Sequence, residues 1–266
     1  MASHPAANKP VGASATGSGA ALLISIRVLG IALLLVPALV LHGAWRLMRR
    51  PSPWPKRFLA AVARVCGAKV RVQGEPERHK VLYLANHLSW LDIVILCGAT
   101  GCAFVSKDDV AGWPMLGWLA RLNDTVFIAR TDRMGIRQQI EDVRNALTRH
   151  RGLAVFPEGT TGDGHHLLPF KPTLLKVLDP PPEGIRVQPL FIDYGTVAPD
   201  IAWHDAEPFG ANAKRVLSRC KSFTVTLHFL QSFDPVVLGD RKAIAAHARR
   251  EMLEAQVAGK DDGEHV

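Results

Sequence analysis

The run Asn86-His87-Leu88-Ser89-Trp90-Leu91-Asp92 sets an imidazole and a carboxylate five residues apart. A neutral histidine accepts a proton from a hydroxyl near pH 7, because its unperturbed pKa lies close to that pH. A carboxylate hydrogen-bonded to the other ring nitrogen fixes the tautomer and stabilises the imidazolium as it forms. Five residues is more than one helical turn. The two side chains therefore meet only if His87 sits in a loop after the apolar run Val81-Leu82-Tyr83-Leu84-Ala85 and Asp92 lies in the first turn of the next helix. The same residues also read as a plain helix start, with Ser89 as N-cap and Asp92 at the third helical position.

Three further segments carry candidate groups. Thr125-Val126-Phe127-Ile128-Ala129-Arg130 is a strand pattern ending on a cation, with Arg133 close behind. Arginine offers a planar fork suited to phosphate or carboxylate. Phe156-Pro157-Glu158-Gly159-Thr160-Thr161 runs from an apolar strand into Pro, an acid and Gly. Glu158 is placed to accept a hydrogen bond from a substrate hydroxyl, and Gly159 permits a turn that exposes backbone amides to a ligand. Val187-Gln188-Pro189-Leu190-Phe191-Ile192 is an apolar strand interrupted by Pro, which points to an edge strand or a channel wall.

The elements that must hold these groups follow from the periodicity. Short apolar, β-branched runs at 69–72, 81–85, 103–106, 125–129, 153–156, 186–193 and 223–230 read as strands. Helical patterns cover 54–65, 90–98, 113–122, 132–150 and 240–257. Ile136, Ile140, Val143 and Leu147 give the 132–150 segment one apolar face. Strands alternating with helices predict an α/β domain over 51–258, with a mixed, mostly parallel sheet flanked by helices. Residues 1–18 are a small-residue leader expected to be disordered, and 259–266 a polar tail.

Between them, residues 19–50 form an N-terminal membrane-anchoring helical segment. No charged residue occurs from Val28 to Trp45, a stretch of about 27 Å as a helix, which is close to a bilayer core. Pro37 predicts a kink. A single span and a segment half-inserted into one leaflet both fit. Arg46, Arg49, Arg50, Lys56 and Arg57 follow at once and predict a catalytic domain on the cytoplasmic side of the inner membrane. The net charge of +8 favours an anionic partner. Aromatic content of 7% and the lack of any nucleic-acid-binding motif favour anionic membrane lipid over nucleic acid. Cys66, Cys97, Cys102 and Cys220 make no Cys-x-x-Cys pair and read as reduced thiols. No metal site is expected, since the adjacent His165 and His166 point apart on most backbones.

The four ordered blocks, from Asn86 to about Ile192, resemble the glycerolipid acyltransferase family, whose best-known members are bacterial 1-acylglycerol-3-phosphate acyltransferases. The Val105–Val110 and Trp113–Gly117 segments are similar to the family's linker, and the resemblance covers roughly residues 60 to 235. It implies an acyltransferase with His87 as general base and Asp92 as its orienting partner. Lys107 and Arg130 would bind an anionic head group, and Glu158, Gly159 and Thr160 would position the acceptor. The donor would be a thioester, acyl-CoA or acyl-carrier protein, and no cofactor is implied. The acceptor would be a lysophospholipid, 1-acylglycerol 3-phosphate first, giving phosphatidic acid in phospholipid biosynthesis. A lyso-ornithine lipid or another lysolipid is the rival acceptor, and a non-catalytic lipid-binding protein is the rival from another class. No Gly-x-Ser-x-Gly elbow is present, which opposes an α/β-hydrolase with a serine nucleophile. Two departures bear on the acceptor. Thr161 stands where the family often has Arg, and Pro172-Thr173 replaces its usual Lys-Gly after Phe170-Lys171. The run from Asp163 to Lys171, with Trp203 beyond, resembles the lyso-ornithine lipid acyltransferase branch.

Overall fold

The computed structural model describes residues 17–107, 112, 114–128, 136–149, 152–204 and 207–263. Seven strands form one sheet: β1 (Ala68–Gln73), β2 (Val81–Ala85), β3 (Ala103–Lys107), β4 (Val126–Ile128), β5 (Gly152–Val155), β6 (Arg186–Asp193) and β7 (Phe223–Phe229). Their order is β1-β7-β6-β2-β5-β3-β4. All neighbours are parallel except β6 and β7. The mixed, mostly parallel sheet expected from the sequence is therefore present.

The helices are α1 (Ser18–Leu47), α2 (Trp54–Val65), α3 (Trp90–Thr100), α4 (Pro114–Leu122), α5 (Ile136–Arg149), α6 (Phe209–Leu217) and α7 (Arg241–Gly263), with single turns at Ala198–Ile201 and Pro235–Leu238. Every residue of β2 and β5 is buried, as a parallel sheet covered on both faces requires. Alternation along β2 divides the core. Val81, Tyr83 and Ala85 join one apolar cluster with α2 and α3, and Leu82 and Leu84 join another with α5 and α7. The helices α2 and α3 approach so closely that a Cβ built on Gly98 would lie 2.7 Å from Ala60 N.

β6 corrects one expectation. It is an interior strand between β7 and β2, not an edge. Pro189 is tolerated because the pairing with β7 breaks there. The ladder ends at Leu190↔Phe229 and resumes at Val187↔Phe233, so two residues of β6 oppose three of the other chain segment. Such a bulge is where a sheet accepts a residue without an N–H.

α1 runs unbroken through Pro37 and packs along one side on α2 and α6. Arg27 donates from Nη1 to the Leu217 carbonyl at 2.9 Å, and Trp45 meets Trp54 edge-on at 6.1 Å. On the other side Leu22, Ile26, Leu29, Leu33, Val36 and Val40 are all exposed, at alternating spacings of four and three. Cys66, Cys97 and Cys102 are buried free thiols and Cys220 is exposed.

Candidate active site

The site lies at the carboxyl edge of the parallel strands β6, β2, β5, β3 and β4, the usual place for ligands in such sheets. β2 ends at Ala85, and Asn86 continues its pairing through the side chain. Asn86 Nδ2 donates to Ile192 O at 3.0 Å, and Ile192 N donates to Asn86 Oδ1 at 2.7 Å. The amide group mimics one more backbone rung between β2 and β6, which fixes where His87 leaves the sheet.

α3 then starts with a full capping box. Ser89 Oγ accepts from Leu91 N, and the Asp92 side chain accepts from Ser89 N at 2.8 Å. The two sequence readings of this segment are therefore one structure, because the cap carboxylate is also the partner of the histidine. Asp92 Oδ2 accepts from His87 Nδ1 at 2.8 Å and from Leu88 N at 2.6 Å, and Asp92 is fully buried. Binding of Nδ1–H by the carboxylate leaves Nε2 as the basic nitrogen of the neutral ring. The ring is 17% exposed and lies flat on Phe156, with centroids 3.9 Å apart and an interplanar angle of 7°. Phe156 stacks in turn on Phe104 at 5.1 Å.

The loop after β5 closes on the same histidine. His87 N donates to Glu158 Oε1 at 2.8 Å, Leu168 N donates to Glu158 Oε2 at 3.1 Å, and Gly162 N donates to His87 O at 2.7 Å. Glu158 is 2% exposed, so its carboxylate faces the backbone that holds His87 and not an open cleft. Burial raises its pKa to about 7, outweighing the two amide hydrogen bonds, which act the other way. Arg249 of α7 braces this loop by donating to Leu167 O at 2.9 Å and Leu168 O at 3.0 Å.

Gly159 adopts a φ of 71°, the left-handed turn its lack of Cβ permits. Its N–H closes that turn on Phe156 O at 3.1 Å, so this amide is engaged within the loop. Thr160 follows in the same turn. Thr161 uses its hydroxyl to bind Trp203 O, and Trp203 N donates to Leu88 O at 2.7 Å. Lys107 ends β3 on the site edge. Arg130 lies outside the described residues, two positions beyond the end of β4.

Three residues to which the sequence gave no site role also belong to this assembly. Tyr194 OH donates to Asp92 Oδ1 at 2.6 Å. Lys171 stands beside the Gly159 turn: its N–H binds Pro157 O at 2.8 Å, and a Cβ built on Gly159 would lie 3.2 Å from Lys171 Nζ. Asn212 of α6 accepts from Trp90 Nε1 at 3.0 Å and anchors the start of α3. The Phe170-Lys171 pair was the available signal for Lys171. Tyr194 and Asn212 gave none, since their partners lie more than a hundred residues away.

A histidine hydrogen-bonded to a buried acid at the carboxyl edge of a covered sheet is an arrangement suited to proton transfer, and the apolar N-terminal helix is compatible with membrane association. Comparison with known proteins supplies the reaction class. The family model described as Acyltransferase matches residues 69–193. A lyso-ornithine lipid O-acyltransferase of Rhodobacter capsulatus is 36% identical over 246 residues, covering 84% of this chain and 86% of that protein. A 1-acyl-sn-glycerol-3-phosphate acyltransferase of Neisseria gonorrhoeae is 38% identical over 96 residues, covering 36% of this chain and 38% of that protein. Among solved structures, the 1-acyl-sn-glycerophosphate acyltransferase PlsC of Thermotoga maritima superposes with a TM-score of 0.62 at 21% identity, covering 90% of this chain and 95% of that one. The chain belongs to this acyltransferase family and is an acyltransferase of the lysophospholipid type.

Proposed function

We propose that the protein transfers a fatty acyl group from a thioester to the hydroxyl of a lyso-ornithine lipid, with His87 as general base and Asp92 as its orienting partner. The 2.8 Å bond between His87 Nδ1 and Asp92 Oδ2 carries the mechanism. Nε2 takes the proton of the acceptor hydroxyl, and its oxygen attacks the thioester carbonyl carbon. The tetrahedral oxyanion collapses, the C–S bond breaks, and the departing thiolate takes the proton back from His87. Transfer is direct. Ser89, the hydroxyl nearest in sequence to His87, is fully buried, and its Oγ faces Asn212 Oδ1 at 3.5 Å.

Extended similarity to lyso-ornithine lipid O-acyltransferases supports this acceptor over the glycerophosphate one. So does Thr161, which stands where the family often has Arg and whose hydroxyl donates to Trp203 O. An ornithine head carries an amine as well as a carboxylate. Lys171, Lys107 and Arg130 are the cations for the carboxylate. Asp163 is the acid for the amine: it lies one residue beyond the Gly162 contact with His87, and its hydrogen bonds with His166 and two backbone amides outweigh desolvation to hold its pKa at about 2. The Neisseria relative and the PlsC fold favour 1-acylglycerol 3-phosphate as the second reading. A purified-protein assay separates them. Acyl-carrier protein and acyl-CoA donors are offered separately against both lysolipids, and products are identified by mass. Acylated ornithine lipid is expected; phosphatidic acid as the sole product would reverse the order.

The exposed apolar stripe of α1 supports membrane attachment with the opposite side of the helix docked on the domain. Arg27, bonded to the domain in the first third of the helix, favours half-insertion in one leaflet over a full span. In inside-out vesicles of a Cys220→Ser protein, a cysteine placed at Ser18 should react with an impermeant alkylating reagent added outside. Protection until the vesicles are opened would show a span.

A further inference from the structure

We infer that Tyr194 is a positioning residue of the His87–Asp92 pair, acting through the bond from its hydroxyl to Asp92 Oδ1. This rests on the reading of His87 as the base. Three donors crowd one oxygen of Asp92: the His87 ring and the Leu88 and Ser89 amides all reach Oδ2. Those three belong to the loop that the carboxylate itself organises. Tyr194 is the donor to the other oxygen, Oδ1, at 2.6 Å, and it comes from a different part of the chain, at the end of β6. A carboxylate held at one oxygen turns about its last torsion, which is broad. Held at both, it keeps Oδ2 aimed at Nδ1.

Tyr194 is itself rigid. It is 2% exposed, its ring lies 6.3 Å from that of Phe223, and the next residue, Gly195, donates its N–H to Asp193 Oδ1 at 2.7 Å. The same strand receives Asn86 at Ile192. β6 therefore sets both the exit point of the histidine loop and the rotation of the acid that orients it. Burial, and then the adjacent carboxylate, push the Tyr194 pKa well above its ordinary value, so the hydroxyl remains a donor over the working pH range. The titratable groups facing this assembly are His87 and Tyr194 on Asp92, Glu158 through the His87 backbone, and Cys66 beside Tyr194.

Removing the hydroxyl leaves Asp92 Oδ1 unpaired in a buried site. The carboxylate then interacts more strongly with the His87 imidazolium, and its aim loosens. Tyr194→Phe should lower kcat by about tenfold, leave KM for the lysolipid within about twofold, and move the acid limb of the kcat/KM profile to higher pH. An unchanged rate and limb overturns the inference. So does a loss of rate that follows the folded fraction, measured by circular dichroism, with the limb in place.

A second arm serves if Tyr194→Phe does not fold. The chain has only two tyrosines, and Tyr83 bonds the Glu77 carbonyl away from His87. Tyr83→Phe protein grown on 3-fluorotyrosine carries the more acidic, stronger donor at position 194 alone. Its acid limb should move to lower pH than that of Tyr83→Phe protein grown on tyrosine; an unmoved limb overturns the inference. His87→Ala separates the two ideas. If it retains activity the base assignment fails, whereas an inactive His87→Ala with an unaltered Tyr194→Phe profile removes only the role of Tyr194.

Discussion

The chain segments after β2 and β5 each put a buried carboxylate on His87, and they use it differently. Asp92 meets the imidazole ring itself and accepts three further hydrogen bonds, one of them from Tyr194 just after β6. Glu158 meets the backbone N–H of the same residue and one other amide. In the proposed reaction Asp92 therefore steers the proton, while Glu158 holds the backbone from which the ring projects. Burial dominates at Glu158, whose pKa stands near 7, because two neutral amides do not replace the water that a carboxylate loses. Two acids touching one residue are thus separated into an orienting acid and a structural brace by what else surrounds them.

The sharpest way to break this contrast is to neutralise each acid in turn. Asp92→Asn retains an oxygen but turns an NH2 toward donors. It should cost about 10³- to 10⁴-fold in kcat, by analogy with the wrong tautomer in a His–Asp pair. Assays of acyl transfer by the purified variant test this, and a loss under tenfold would remove the distinction. Glu158→Gln should cost less, about ten- to thirtyfold, because the ring keeps its partner while the loop that carries it loosens. Its clearer mark is on stability. Glu158 binds its proton more tightly folded than unfolded, so its contribution is greatest below about pH 4.5 and is lost as pH rises through about 7. The difference in unfolding free energy between the parent and Glu158→Gln should therefore change by about 1–3 kcal/mol between pH 5 and pH 7.5, the parent losing the more. Denaturant titrations at the two pH values measure it, and a constant difference would show that burial does not hold the proton there. The smallest effect belongs to Gly162→Ala. A Cβ there would rest at an ordinary 3.6 Å from Glu158 Oε2, His166 O and His87 O. Its N–H contact with His87 O survives, and kcat should stay within about twofold.

This contrast also marks what the sequence could disclose. The strands and the helices α2 to α5 and α7 were legible because their apolar periods are local. His87 and Asp92 were legible because one loop and one helix start suffice to join them. The use of Glu158 was not: its partners, the His87 and Leu168 amides, are brought to it by the fold, and the sequence showed only an acid before a glycine. β6 was misjudged as an edge because Pro189 removes a donor, and the bulge opposite it becomes visible only when Leu230 to Ser232 are placed. α6 went unassigned between Asp193 and Phe223, and with it Asn212, the anchor of Trp90. Arg130, the expected head-group cation, lies outside the described residues.

In the proposed reaction His87, oriented by Asp92, moves the acceptor's proton. Single-turnover acyl transfer by purified His87→Ala, with folding followed by thermal melting and lysolipid binding by vesicle co-sedimentation, tests it most directly. The rate should fall at least about 10³-fold while melting and binding hold. Transfer within tenfold of the parent would contradict it.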